Sequence, residues 1–245
     1  MMTTNNEKPI VIGVGGFARS GKDTFVKVAK KVLKDNGYSS IKLAFADPLK
    51  EEIDPFLREH YNISAWTDDT EEKKIIRPYL VAHGCGKRNI SNGKYWVDQI
   101  DQLIETVHFS EDVIFISDCR FPNEVDWVHE KWGGWFVHLR KYSIIERPKI
   151  GGSILFSNRN VKCFDNGNKI EEWVYDPSPN EEEAVQDPLC EAKADYRLEL
   201  ENAIEKTYRE KGIKITAEAL VDDSYLLNEI TTCLSKCPFL TILRP

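Results

Sequence analysis

The sequence predicts one α/β domain with a parallel sheet, helices on both faces and a single irregular insertion. Three observations lead there. A β-branched run enters a glycine-rich turn and leaves it as an amphipathic pattern. Strand-like and helix-like segments then alternate with short connections. That rhythm breaks once, between about residues 148 and 188.

Pro9-Ile10-Val11-Ile12-Gly13-Val14 reads as a buried strand, because β-branched residues favour the pleated backbone. After the glycine-rich turn, Phe25, Val28, Ala29, Val32 and Leu33 recur at helical spacing, with Gly37 as a C-terminal cap. Ile41 to Phe45 forms the second strand. Asp47-Pro48 then opens a helix, with Asp as cap and Pro in the first turn. Val113 to Ser117 is a third strand ending at Asp118, Cys119 and Arg120, and Pro122 begins the next helix. Gly133-Gly134 leads into the strand Trp135 to Leu139, with Arg140-Lys141 at its end. Tyr196 to Leu200 is the last strand, and Ala217 to Cys237 is helical, within a C-terminal helical segment spanning 213–237. In the insertion, Asp165-Asn166-Gly167-Asn168 signals a hairpin turn. Asp176 to Pro179 and Glu181-Glu182-Glu183 read as a solvated, mobile loop.

A length of 245 residues suits a single domain, residues 1–245, with 148–188 inserted as a lid-like segment. The net charge of -7 argues against a general nucleic-acid binder, which replaces phosphate counterions with a basic face. No run approaches the ~20 apolar residues of a membrane span. The polar N-terminus lacks the apolar stretch of a signal peptide, so a cytoplasmic location is expected. The six cysteines show no CxxC pairs, which favours reduced thiols over zinc ligands. Trp96, Trp127, Trp132 and Trp135 are expected to pack, not to stack on bases.

Gly16 to Lys22 spells GxxxxGK between a strand and a helix, the context that a phosphate-binding P-loop requires. Successive backbone N–H groups in such a turn surround phosphate oxygens, and the helix N-terminus adds positive potential. Gly16, Arg19, Ser20, Gly21, Lys22, Asp23 and Thr24 are thus the expected triphosphate-binding residues. Lys22 would reach the β- and γ-phosphates, and Thr24 the α-phosphate. Asp23 stands where Ser or Thr usually ligates magnesium; its carboxylate can hold the ion, directly or through water, or orient an acceptor. Asp118, after an apolar strand, is placed like the second acidic residue of P-loop enzymes and is the other metal candidate. Its alternative is a turn or helix-capping role. Arg120, Arg140 and Lys141 stand on the same rim, where cations can neutralise a moving phosphoryl group. Arg77 and Arg88 flank Gly84-Cys85-Gly86 and suit a second phosphate through bidentate contacts; the alternative is exposed basic residues in a loop.

Taken together, these residues resemble the deoxynucleoside monophosphate kinases of tailed bacteriophages. The resemblance rests on residues 16–24, on Phe45-Ala46-Asp47-Pro48-Leu49-Lys50, on the Arg77-to-Trp96 segment, on Ile116 to Glu124 and on Leu139-Arg140-Lys141. It covers most of residues 9–147 and returns weakly near Glu191 and Tyr196. It implies a P-loop kinase-type three-layer fold with about five parallel strands and an inserted lid region. It also implies transfer of the ATP γ-phosphate, with Mg2+, to a deoxynucleoside 5'-monophosphate in phage nucleotide metabolism, in the host cytoplasm. Lys22, Asp23, Arg140 and Lys141 would be catalytic. Asp47, Lys50, Arg77, Arg88, Asp118, Arg120 and Glu191 would lie on the substrate side. Asp187 and Pro188 depart from the His or Arg that relatives carry before the acid at Glu191. The partners implied are small-molecule nucleotides, with a homodimer left open. A dephospho-coenzyme A kinase-like enzyme and a non-catalytic nucleotide-switch module stay open as alternatives.

Overall fold

Ile10–Gly15 (β1) occupies the middle of the sheet because Val11, Ile12 and Val14 can be buried on both of its faces. The computed structural model describes residues 8–106, 111–148, 158, 160–167, 169–202 and 220–242. After β1 come Lys22–Asp35 (α1), Ser40–Leu43 (β2), Ala46–Tyr61 (α2), Thr70–Ile90 (α3) and Tyr95–Thr106 (α4). Val113–Cys119 (β3), Pro122–Glu130 (α5) and Trp135–Pro148 (β4) follow. Val161–Asn166 (β5), Lys169–Tyr175 (β6), Glu181–Ala192 (α6), Tyr196–Glu201 (β7) and Ser224–Leu234 (α7) complete the described elements.

The two-residue period of the strands divides the core into two layers. Ile12, Val14, Phe115, Val137 and Leu139 pack on one face with Phe25, Val28 and Ala29 of α1 and with Ile230 of α7. Val11, Ile114, Ile116 and Phe136 pack on the other with Trp96 and Ile100 of α4 and Val125 of α5. A smaller cluster, with Ile53, Leu57 and Ile76, joins α2 to α3. Burial of each such side chain contributes about 1.5–3 kcal/mol before entropy is subtracted. No described helix is long and apolar enough to cross a membrane.

The expected sheet of about five parallel strands is corrected by the observed one. Seven strands form a mixed sheet in the order β2-β3-β1-β4-β6-β5, with β7 also paired to β4. Pairs β2–β3, β3–β1, β1–β4 and β4–β7 are parallel; β4–β6 and β6–β5 are antiparallel. The cause lies in β4. It does not end at Arg140-Lys141 but runs on to a full length of 14 residues, and Tyr142–Pro148 pairs with β6. Its second half is exposed from Ser143 onward, so no apolar alternation announces it. Tyr142 instead stacks on Trp173 of β6, with ring centroids 4.3 Å apart and planes at 8°. Lys162 of β5 further reaches Glu199 of β7 at 2.6 Å.

The region expected as a lid-like insertion therefore contributes two strands to the main sheet and most of α6. Residues 149–157, 159 and 168 within it lie outside the described residues. Glu181–Glu183 is corrected from solvated loop to the first turn of α6, capped by Asn180, whose side chain accepts from the Glu183 N–H at 2.8 Å. Residues 77–88 are corrected likewise: they belong to α3, not to a loop. Pro78, Gly84 and Gly86 disfavour a helix. Asp69 nevertheless caps α3 by accepting from Glu71 and Glu72, and Ile76 is anchored against α2. Of the C-terminal segment, α7 is helical and packs on α1; residues 213–219 lie outside the described residues.

Candidate functional site

At Gly16 the chain leaves β1 with φ 127°, and a Cβ there would lie 2.3 Å from the carbonyl oxygen of Leu139. Only glycine fits. The turn then passes Arg19 (φ 68°) and Gly21 (φ 94°) before α1 begins. Lys22 folds back over this turn, donating to the carbonyl oxygens of Gly16 at 2.7 Å and Phe17 at 2.6 Å. No side chain caps the start of α1, which leaves its first N–H groups directed toward the opening.

Burial pulls the Lys22 ammonium down from the ordinary 10.5 to about 8, and the Arg120 guanidinium pulls in the same direction. Between those two values the unfolded chain holds a proton that the folded chain does not. Stability should therefore rise with pH from about 8 to about 10.5. Urea unfolding of the wild type and of Lys22→Met over that range should show the difference between them shifting in the wild type's favour. A constant difference would mean that the ammonium is not desolvated.

Asp118 ends β3 with both oxygens engaged. They accept the backbone N–H groups of Phe45 at 2.7 Å and Ala46 at 3.0 Å, so the carboxylate caps α2 from another strand. Burial raises its pKa, against the pull of those two N–H groups. Asp47, expected to cap α2, accepts instead from the Ala44 N–H at 2.9 Å. Asp23 is exposed and pairs with Lys42 at 2.6 Å, a contact of little energy at the surface. Among the described residues no group of three or more His, Cys, Asp or Glu side chains is placed to hold a metal.

Beside the turn, α2, α3 and the end of β3 enclose a cleft of about 460 Å³. Arg77, Arg88 and Arg120 line it, with Lys50, Leu49 and Trp96. Arg77 and Arg88 share a face of α3 because eleven residues make about three helical turns. Lys50 lies over the Trp66 ring at 4.5 Å. Asp47 and Glu191 do not line the cleft.

Glu124 carries no role in the sequence reading, although it closes the stretch that begins at Ile116. In the fold it is 1% exposed and organises the cleft. One oxygen accepts from Arg88 at 2.6 Å; the other accepts the N–H groups of Arg120 at 2.7 Å and Phe121 at 3.1 Å. The signal was the acid at the third position after Phe121, where it can reach back to a helix start. Arg88 also lies 3.5 Å above the Phe121 ring. Its Nη1 is buried without a hydrogen-bond partner. Such a guanidinium is fixed on one side and offers donors on the other.

A second recess adjoins the turn, lined by Phe17, Ala18, Ser20, Arg140, Lys141 and Asp176. Arg140 is 6% exposed; it lies 4.0 Å over Tyr175 and 3.6 Å from Glu191, and its Nη2 has no hydrogen-bond partner. Thr24 lines another small recess, with Gly21, Lys141 and Leu200. The helix α6 faces this region with carboxylates four residues apart. Glu183 meets Arg120 at 3.0 Å and Asp187 meets His138 at 2.8 Å, while Glu191 is the partner of Arg140. Glu183 was invisible as a site residue because an acidic helix start reads as a solvated face, and Asp187 stands out in the sequence only as a departure from the His or Arg of relatives.

No known family profile matches this chain, and no curated protein matches it. Among solved structures, one titled "Crystal structure of APE1195" aligns with 54% of this chain at 19% identity and a TM-score of 0.27. The match spans 60% of that protein's length. A likeness of that size supports neither a shared fold nor a shared function.

Proposed function

We propose that this protein transfers the γ-phosphate of ATP to a deoxynucleoside 5'-monophosphate, giving the diphosphate and ADP, as a relative of the phage kinases that its motifs resemble. One observation carries the reading: Ala18, in the glycine-rich turn, lines both the recess holding Arg140 and Lys141 and the arginine cleft. Two anion-binding regions meet at one backbone turn, as a two-phosphate reaction requires. On this reading, the turn's N–H groups, Ser20 and Lys22 hold the donor phosphates. Arg140 and Lys141 neutralise the group in transit. Arg88, with its unpartnered Nη1, grips the acceptor phosphate, and Phe45, Leu49, Leu80 and Trp96 supply apolar walls for the base.

Asp118 has both oxygens taken by the Phe45 and Ala46 N–H groups, so exposed Asp23 would be the carboxylate to hold a nucleotide-borne Mg2+, which takes one or two carboxylates and draws its other ligands from phosphate and water. The ion would supply charge neutralisation on the phosphates. On this reading the reaction serves nucleotide supply in the cytoplasm of an infected host.

ADP release should rise above the no-acceptor rate with at least one of dAMP, dGMP, dTMP or hydroxymethylated dCMP. Dephospho-coenzyme A belongs in the same series as the competing acceptor. Stimulation by none of the monophosphates would end the proposal.

A further inference from the structure

The first turn of α6 sends one carboxylate into the glycine-rich turn itself. Glu183, 7% exposed, accepts the backbone N–H of Ala18 at 2.8 Å through Oε2. Its Oε1 accepts from Arg120 Nη1 at 3.0 Å and from the Asn180 side-chain amide at 3.2 Å. A loop N–H, a guanidinium and an amide make up the donor set that a phosphate group takes at such a turn. Ala18 and Arg120 both line the cleft, and Glu183 itself lines a small adjoining recess with Gly16, Cys119 and Asp187, so the carboxylate occupies donors of residues that face the cleft. Burial of this acid is tolerable because three donors meet it, one of them a cation.

We infer that Glu183 is a built-in anion that holds part of the phosphate cradle, and that an incoming phosphate takes over its donors at Ala18 and Arg120. This rests on the phosphate-binding reading of residues 16–22. Two negative groups a few ångströms apart repel strongly where solvent is scarce. Phosphate binding and the Glu183 contact therefore oppose each other, and the exchange frees the start of α6 from the turn. Arg120 would pass from the carboxylate to the phosphate, ending beside the bound anion. A carboxylate that merely fastens α6 to the turn makes the opposite forecast: its loss loosens the turn and weakens binding.

The test is the affinity of inorganic pyrophosphate, by calorimetry, for the wild type, Glu183→Gln and Lys22→Ala. The glutamine keeps the shape and an acceptor oxygen but removes the charge. Binding about tenfold tighter or more in Glu183→Gln is the expected result, equivalent to about 1.4 kcal/mol. Equal or weaker binding in Glu183→Gln, with Lys22 still required, would overturn the inference and leave the phosphate reading intact. Pyrophosphate binding that is absent, or indifferent to Lys22→Ala, would overturn both. Hydrogen exchange on the wild type gives a second readout that does not depend on the variant's folding. Saturating pyrophosphate should speed exchange of the Glu183 amide and its neighbours in the first turn of α6; unchanged or slower exchange counts against the inference.

Discussion

Lys22→Ala is expected to lower acceptor-dependent ADP formation by about 10²–10³-fold in kcat, the scale of removing one preorganised electrostatic partner from a transferring group. The size follows from where the ammonium sits. It is folded over the turn onto the Gly16 and Phe17 carbonyl oxygens, partly shielded from water. A charge in such a position acts on phosphate oxygens more strongly than one in bulk solvent. A bound phosphate would return to the ammonium the stabilisation that burial removes, so protonated Lys22 is held in readiness for an anion. Steady-state kinetics on a variant shown by circular dichroism to be folded would check this. A loss smaller than about tenfold would take Lys22 out of the transfer step.

Glu124→Ala should cost about 3–5 kcal/mol of stability, because it leaves Arg88 as a buried charge with its ionic partner removed. For a chain of this length that corresponds to a fall in Tm of roughly 6–20 °C. Two backbone donors at the start of α5 lose their acceptor in the same substitution. Glu124→Gln keeps an oxygen for those donors and should recover part of the loss. Urea unfolding of both variants decides the point. A cost below about 1 kcal/mol for the alanine would contradict the buried pair.

The glycine-rich turn was legible because its requirements are local. Only glycine tolerates the backbone at Gly16, and a lysine must follow Gly21 to fold over the turn. Strands β1 and β3 were legible because both faces are covered, which leaves an unbroken apolar run. The second half of β4 was not: its stability comes from partners across β6, and residues such as Ser143 and Glu146 carry no burial pattern. Helix α3 was hidden by Pro78, Gly84 and Gly86, whose local preferences are overridden by packing on α2 and by the Trp96 indole N–H donating to the Gly84 carbonyl oxygen at 3.0 Å. The same limit explains Glu124 and Glu183. Their capping contacts with Phe121 and Asn180 are local, but the partners that bring them into the site, Arg88 and Ala18, stand 36 and 165 residues away and leave no local signature.

The length of β4 has a mechanical consequence. Arg140 and Lys141 sit mid-strand, in register with Glu199 and Leu200 of β7, just past the point where β1 gives way to the turn. Their backbone is clamped in a hydrogen-bonded ladder that continues into β6. Backbones mounted this way are stiff, so on the proposed function the two cations cannot ride on a closing flap. On that same reading, any motion on binding would fall to the cleft walls outside the sheet, the helices α2, α3 and α6. The strand is the fixed jaw of a vise, and the helices carry the moving one.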